Sequence, residues 1–459
     1  MRVDRTPRTG FDLEVPIIII GAGAAGLVAA LAASQEGGEV LVIEADPVPS
    51  GSTALSAGLI PAAGTRFQRE AGIDDSPEFF AVDIQSKASG ENDEAMVRRL
   101  TTAIPQTLEW LADAFALPFS VVTDFDYPGH SRRRMHGLPT RSGRELIDRL
   151  RASCEAHGID IVCHRRATRL FVEDGRIMGC EIEGPDGKER IGCEALILAC
   201  NGFGGNRDMV AQHMPEIEDA VWFGHDGNKG DAIIWGEELG AATCHLGAYQ
   251  GHGNVAHPHG ILITWATITE GGVQVNTEGR RFWDESNGYS EAARSVLAQP
   301  GGIAWTIFDQ RIAKVARQFQ DFKDAEAAGA IRTAGDIATL ADACDLPEAV
   351  LRETLETIPW GGTDTFGRRF GKIPMAPPFH AVRVTGALFH TQGGLDVDAA
   401  ARVRLRLGDT IPNLYAAGGA AVGVSGKADS GYLSGNGLLA AVALGGIAGK
   451  EAARQSRMA

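Results

Sequence analysis

Three glycines and one carboxylate carry the first chemistry that can be read in this chain. Gly21, Gly23 and Gly26 stand in G-x-G-x-x-G spacing, and Glu44 ends the next apolar run. At those positions a glycine makes a tight turn, lets the backbone approach a pyrophosphate, and lets helix and strand pack closely. The helix that follows offers free N–H groups and partial positive charge to phosphates. Glu44 sits where a carboxylate accepts from ribose hydroxyls. Further on, the stretch from Pro47 to Phe67 is rich in Gly, Ser and Ala, so its backbone can lie against a flat ligand. Ser52, Thr53 and Ser56 supply hydroxyls there. The group His252, His257 and His259 suggests a metal, but no carboxylate or thiolate stands at ligand spacing, and none is expected.

A βαβ unit must hold the glycines. Ile17 to Ile20 reads as a buried strand, a small-residue helix runs through Ser34, Gly37-Gly38 stops it, and Val40 to Ile43 is the second strand. The apolar run from Val15 to Ala33 also resembles an export signal or membrane span. Asp4, Asp12 and Glu14 in its flank and the glycine turn that splits it argue against both. Residues 1 to 14 read as a loose leader. Residues 91 to 117 carry a helical pattern with a kink expected near Pro105. Tyr127 to Thr140 is a basic loop, either solvated surface or substrate-facing. Ser142-x-x-Glu145 predicts a capping box. From Ile159, short strands separated by Asp174-Gly175 and Asp186-Gly187 predict an antiparallel meander. It returns to a buried strand, Ala195 to Ala199, with a second glycine-rich turn from Cys200 to Gly205. Residues 214 to 376 change texture and read as an inserted domain. The last helix is expected near Leu438, behind Ser434 to Gly437.

With 459 residues the chain is long enough for two cores. A net charge of −16 argues against nucleic acid and anionic membrane as partners. Seven cysteines without a C-x-x-C pair encode neither a zinc ribbon nor a c-type haem site. They read as reduced thiols of a cytoplasmic protein with no membrane span.

Taken together, GAGAAGL with IEAD, SGSTALSAG, LILACNGFGG, VNTEGRRFWDES, FHTQGG, and LYAAGG followed by GYLSGNG resemble the FAD-dependent fumarate reductase, succinate dehydrogenase and 3-ketosteroid dehydrogenase superfamily over nearly the whole chain. The resemblance implies an α/β fold: a Rossmann-type, glutathione-reductase-like FAD-binding domain (1–213 and 377–459) with an inserted α+β cap (214–376). It implies cofactor contacts from Gly21, Gly23, Ala24, Ala25, Gly26, Glu44, Ala45, Ser52, Thr53, Ser56, Ala57, Gly58, Ala167, Asn201, Gly202, Gly419, Asn436 and Leu438. Succinate dehydrogenases carry a flavin-linked histidine where this chain has Ser52, so FAD is expected to be non-covalent.

The substrate positions are selective in their departures. His252, Thr264 and His390 match the anchoring histidine, threonine and second histidine of fumarate reductases. Tyr289 stands in place of the catalytic arginine, Tyr432 in place of the carboxylate-clamping arginine, and Trp265 in place of a proton-path glutamate. Without either guanidinium fork a dicarboxylate is poorly held. Tyrosine at both positions resembles ketosteroid dehydrogenases, although His390 and YLSGNG do not follow that subfamily. The implied reaction is α,β-dehydrogenation of a ketone, steroid-like or a smaller ring. Tyr432 and the Asn436 backbone N–H would hold the ketone oxygen, Tyr289 would take the α-proton, and flavin would accept hydride. A free phenol titrates near ~10, so Tyr289 needs assistance. The alternatives are an ene-reductase acting on an activated alkene, fed by an external donor as the desaturase is drained by an external acceptor, and a binding or regulatory flavoprotein.

Overall fold

The computed structural model describes residues 2–5, 10–123 and 127–457. Two compact units emerge, one from residues 1–213, 224–249 and 390–459, the other from 214–223 and 250–389. The second thus gives up Gly224–Tyr249 and extends to Phe389, beyond the boundary expected at 376.

The first unit is built on a six-stranded sheet in the order Arg402–Arg404, Thr410–Ala416, Ala195–Leu198, Ile17–Ile20, Val40–Ile43, Asp160–Val162. All its neighbours are parallel except the first pair. Ile17–Ile20 lies at its centre with every residue buried, which is why that strand is apolar without alternation. The helices Ala24–Gln35 and Asn436–Ser456 pack on each other through small residues. A β-carbon on Gly445 would lie 2.5 Å from the Ala25 carbonyl oxygen, and one on Gly449 would strike that of Ala29. Among the described residues no helix is long and apolar enough to cross a membrane.

A five-stranded sheet runs Val3–Asp4, Arg166–Glu173, Arg176–Gly184, Gly187–Gly192, Leu13–Glu14. Its central hairpin turns on Asp174 and Gly175, both at positive φ (49° and 76°), as a two-residue hairpin demands. Three expectations are corrected here. Asp160–Val162 belongs to the parallel sheet beside Val40–Ile43, because it follows a crossover helix rather than a tight turn. Of the stretch read as a loose leader, residues 1 and 6–9 lie outside the described residues, but the described ends are held in the sheet: Val3 pairs with Leu170 and is 2% exposed, and Leu13 pairs with Ile191. Helix Glu94–Phe115 continues through a buried Pro105. Ser142 caps Gly143–Ala156 through Arg144 N, while Glu145 accepts from Thr140 N and Oγ1 instead of closing a capping box.

The second unit is α+β. Its seven-stranded sheet runs Ile261–Leu262, Tyr249–Ala256, Phe379–Thr391, Ile303–Asp309, Val273–Val275, with Val221–Trp222 and Ile331–Ala334 also paired to the long Phe379–Thr391 strand. Helices Gln310–Ala316 and Gln320–Ala327 contribute to one apolar cluster of this unit, Ile337–Cys344 and Glu348–Glu356 to another.

Candidate functional site

The three glycines stand in three different surroundings. Gly21 has φ 105° and a β-carbon there would sit 2.5 Å from the Ala199 carbonyl oxygen. At Gly26 it would collide with the Gly21 carbonyl, so that glycine is a packing requirement. At Gly23 it would meet nothing nearer than Thr53 Oγ1 at 3.8 Å, which leaves an open approach for a phosphate. Helix Ala24–Gln35 starts on an extended Gly23 with no side-chain cap. Ala24 N donates to Thr53 Oγ1 (3.2 Å), and Ala25 is buried beside it. Glu44 is nearly buried, and desolvation raises its pKa. Its carboxylate accepts from Ala22 N (2.7 Å) and Asp46 N (2.9 Å), and each oxygen keeps a lone pair for a hydroxyl. Ala45 is exposed next to it.

A second rim comes from Gly51–Ala54 and the turn after Ala195–Leu198. Asn201, at φ 65°, accepts from Gly202 N through Oδ1 (2.8 Å) and donates through Nδ2 to Ser52 Oγ (2.9 Å). Gly202 and Gly419 fit so closely that a β-carbon would strike Thr391 Oγ1 or Asn201 Oδ1. The Ser56 hydroxyl is turned inward, donating to Thr53 O and accepting from Gly58 N, with Ala57 exposed between them. Ala167 lies elsewhere, buried in the five-stranded sheet opposite Ile182.

The helix Asn436–Ser456 begins on Gly435 in the left-handed region (φ 87°), again without a side-chain cap. Asn436 N donates to Leu433 O (3.0 Å). This corrects the role expected for it, because that N–H is spent on the turn. The N–H groups of Gly437 and Leu438 belong to the first helical turn, where no intrahelical acceptor exists. Tyr432 is 7% exposed; burial pushes its pKa up to about 12, against the pull of the Gly435 and Gly437 backbones, so it stays a protonated donor. Its ring meets His390 edge-on at 5.5 Å. Sequence reasoning missed the relay behind that histidine. Asn436 Nδ2 donates to Ser425 Oγ (3.0 Å), Ser425 to Gln392 Oε1 (2.7 Å), and Gln392 Nε2 to His390 Nδ1 (3.0 Å). With Nδ1 accepting, the proton sits on Nε2, and burial lowers the His390 pKa to about 4. Asn436 Oδ1 is a buried acceptor with no protein partner. That orphan atom, the open Gly23 approach and two uncapped helix starts fit an extended dinucleotide such as FAD.

In the second unit the remaining positions converge on a column of rings. Phe223 stacks on Phe389 (4.9 Å), Phe389 on His252 (5.5 Å), and His252 on Tyr289 (5.0 Å). Trp265 stands edge-on to His252 (5.7 Å) and Tyr289 (6.4 Å). His252 Nδ1 accepts from Asn254 N (3.2 Å), which places its proton on Nε2, and burial lowers its pKa to about 3. It is therefore a neutral donor and provides no positive field for Tyr289. The Thr264 hydroxyl accepts from Ala266 N (3.3 Å). Tyr289 opens helix Tyr289–Leu297 behind Gly288.

The basic loop resolves into two kinds of residue. Arg134 is 1% exposed and pairs with Asp75 (2.9 Å) and Asp83, so it is a structural cation. His136, also buried, bonds Thr65 Oγ1 (2.8 Å), and His130 Nε2 bonds Ser434 O (2.9 Å). Arg132 and Arg133 remain near solvent, beside a cavity of about 460 Å³ lined by Ile73, Asp74, Tyr127 and His130. Among the described residues no cluster of His, Cys, Asp or Glu could hold a metal ion.

Residues 16–438 match the family described as FAD binding domain. A probable fumarate reductase of Shewanella frigidimarina is 30% identical over 99% of this chain and 77% of its own length. The open conformation of a flavocytochrome c3 fumarate reductase superposes with a TM-score of 0.83 at 29% identity, covering 97% of this chain and 79% of the other. The 3-ketosteroid-Δ4-(5α)-dehydrogenase of Rhodococcus jostii, solved with 4-androstene-3,17-dione, shares the fold (TM-score 0.78, 24% identity, 97% and 98% covered).

Proposed function

Because this chain belongs to the FAD binding domain family and is a FAD-dependent oxidoreductase of the fumarate reductase kind, we propose that it reduces a C=C bond conjugated to an uncharged carbonyl. One observation carries the reading. Where fumarate reductases place charged groups, this chain has neutral rings: Tyr289 stacked on an uncharged His252, with Trp265 edge-on to both. A dicarboxylate would find no guanidinium fork there, whereas an enone or similar acceptor pairs with neutral donors at little desolvation cost. Bound FAD, held non-covalently since Ser52 occupies the linkage position, would supply hydride chemistry.

The side chains divide the rest. Tyr432, protonated well above neutral pH, and the neutral His390 Nε2–H are donors for a carbonyl oxygen that gains charge. His252 Nε2–H and Thr264 orient the substrate in the same neutral manner. Tyr289 passes a proton to the α-carbon; a phenol near neutral pH is already in the acid form, so reduction needs no assisting cation. The reverse reaction, ketone desaturation, is a second reading, favoured by the paired tyrosines. In it Tyr289 must work as a base.

The test is anaerobic. With reduced viologen as donor, uncharged enones should be turned over and fumarate should not. Dye-linked oxidation of saturated ketones, without enone reduction, would replace this reading by the second. Fumarate turnover at rates matching the enones would overturn both.

A further inference from the structure

The segment Gly224–Gly230 ties together three separate pieces of the dinucleotide cradle. His225 Nε2 meets Asp46 Oδ2 at 2.7 Å, two residues beyond Glu44. Asn228 Nδ2 donates to Ser52 Oγ at 3.0 Å. Asn228 O accepts from Gly205 N (3.0 Å), Lys229 Nζ donates to Gly205 O (2.8 Å), and Gly230 N donates to Gly202 O (3.0 Å). The segment thus reaches the strand end beside the ribose acid, the hydroxyl-bearing turn, and the second glycine-rich turn.

Two details make these contacts more than packing. His225 Nδ1 accepts from Gly227 N (3.1 Å), so its proton lies on Nε2 and is given to Asp46 even by the uncharged ring. Ser52 Oγ receives two amide donors, Asn201 Nδ2 and Asn228 Nδ2. Both of its lone pairs are then filled, and its own proton must point away from both amides. Removing Asn228 releases that hydroxyl to rotate.

We propose that Gly224–Gly230 is a cofactor latch: His225 and Asn228 act as positioning residues that slow the release of FAD and aim the Ser52 hydroxyl as a fixed donor. The latch rests on FAD binding alone and not on which substrate is reduced.

The test uses the FAD-loaded full-length protein and reads the recovery of flavin fluorescence on dilution, alongside melting of the apoprotein. Asn228→Ala and His225→Phe are each expected to speed release roughly five- to tenfold, and to lower the melting temperature of the loaded protein more than that of the apoprotein. The visible spectrum of bound flavin should shift in Asn228→Ala and be restored by Asn228→Gln. Release at the parental rate would overturn the proposal. So would a fall in apoprotein melting equal to that of the loaded protein, because the contacts would then be merely structural.

Discussion

At the scale of single residues, the two tyrosines differ in what holds them. Tyr432 is enclosed by its own turn and His390, with a phenol that burial keeps protonated. Tyr289 leans on His252, a ring that brings no charge. Tyr289→Phe should cut turnover about 10²–10⁴-fold while FAD occupancy, read from the visible spectrum, stays complete. Retained turnover would mean that another group moves the proton. Tyr289 and Tyr432 can be singled out by comparing this chain with its family's motifs, because only a change of residue type is needed. The His390 relay cannot be read that way. Gln392, Ser425 and Asn436 are ordinary polar residues whose hydrogen bonds exist only once distant turns meet. The ring column is hidden for the same reason, as Phe223 and Phe389 share no sequence period with His252.

At the scale of elements, glycine spacing was legible because it reports backbone clearance, a local requirement. The same clearance governs the contact between Ala24–Gln35 and Asn436–Ser456, where Gly445 and Gly449 face backbone carbonyls. Gly449→Val is expected to cost about 1–3 kcal/mol through overpacking, measured as a lowered denaturant midpoint with an unchanged slope. It should also weaken FAD binding, since both helix starts face the cradle. The basic loop shows what local reading misses. Arg134 looks like a surface cation among its neighbours, but Asp75 and Asp83, each more than fifty residues away, neutralise it in the interior. Nothing local distinguishes it from exposed Arg132.

At the scale of the whole molecule, four histidines of the two units, His130, His136, His252 and His390, share one electrostatic condition. Burial lowers their pKa to about 4, 4, 3 and 4 respectively. Unfolded, they would titrate near ~6.5. Below that pH the unfolded chain binds more protons than the folded one, so stability falls as pH drops from about 6.5 toward 4 and these groups contribute no loss above it. A melting temperature measured from pH 8 to 4 should therefore be governed by these groups only below about 6.5. Substituting His252 by Phe should flatten that decline.

The opening residues of the chain have one last bearing on handling the protein. Val3–Asp4 and Leu13–Glu14 occupy opposite margins of the five-stranded sheet. A chain trimmed to begin at Val15 would lose both short edge strands and leave the longer Arg166–Glu173 and Gly187–Gly192 as bare margins, a more adhesive pair of edges. Trimming what looks like a dispensable tail would thus invite self-association without touching a single reacting group.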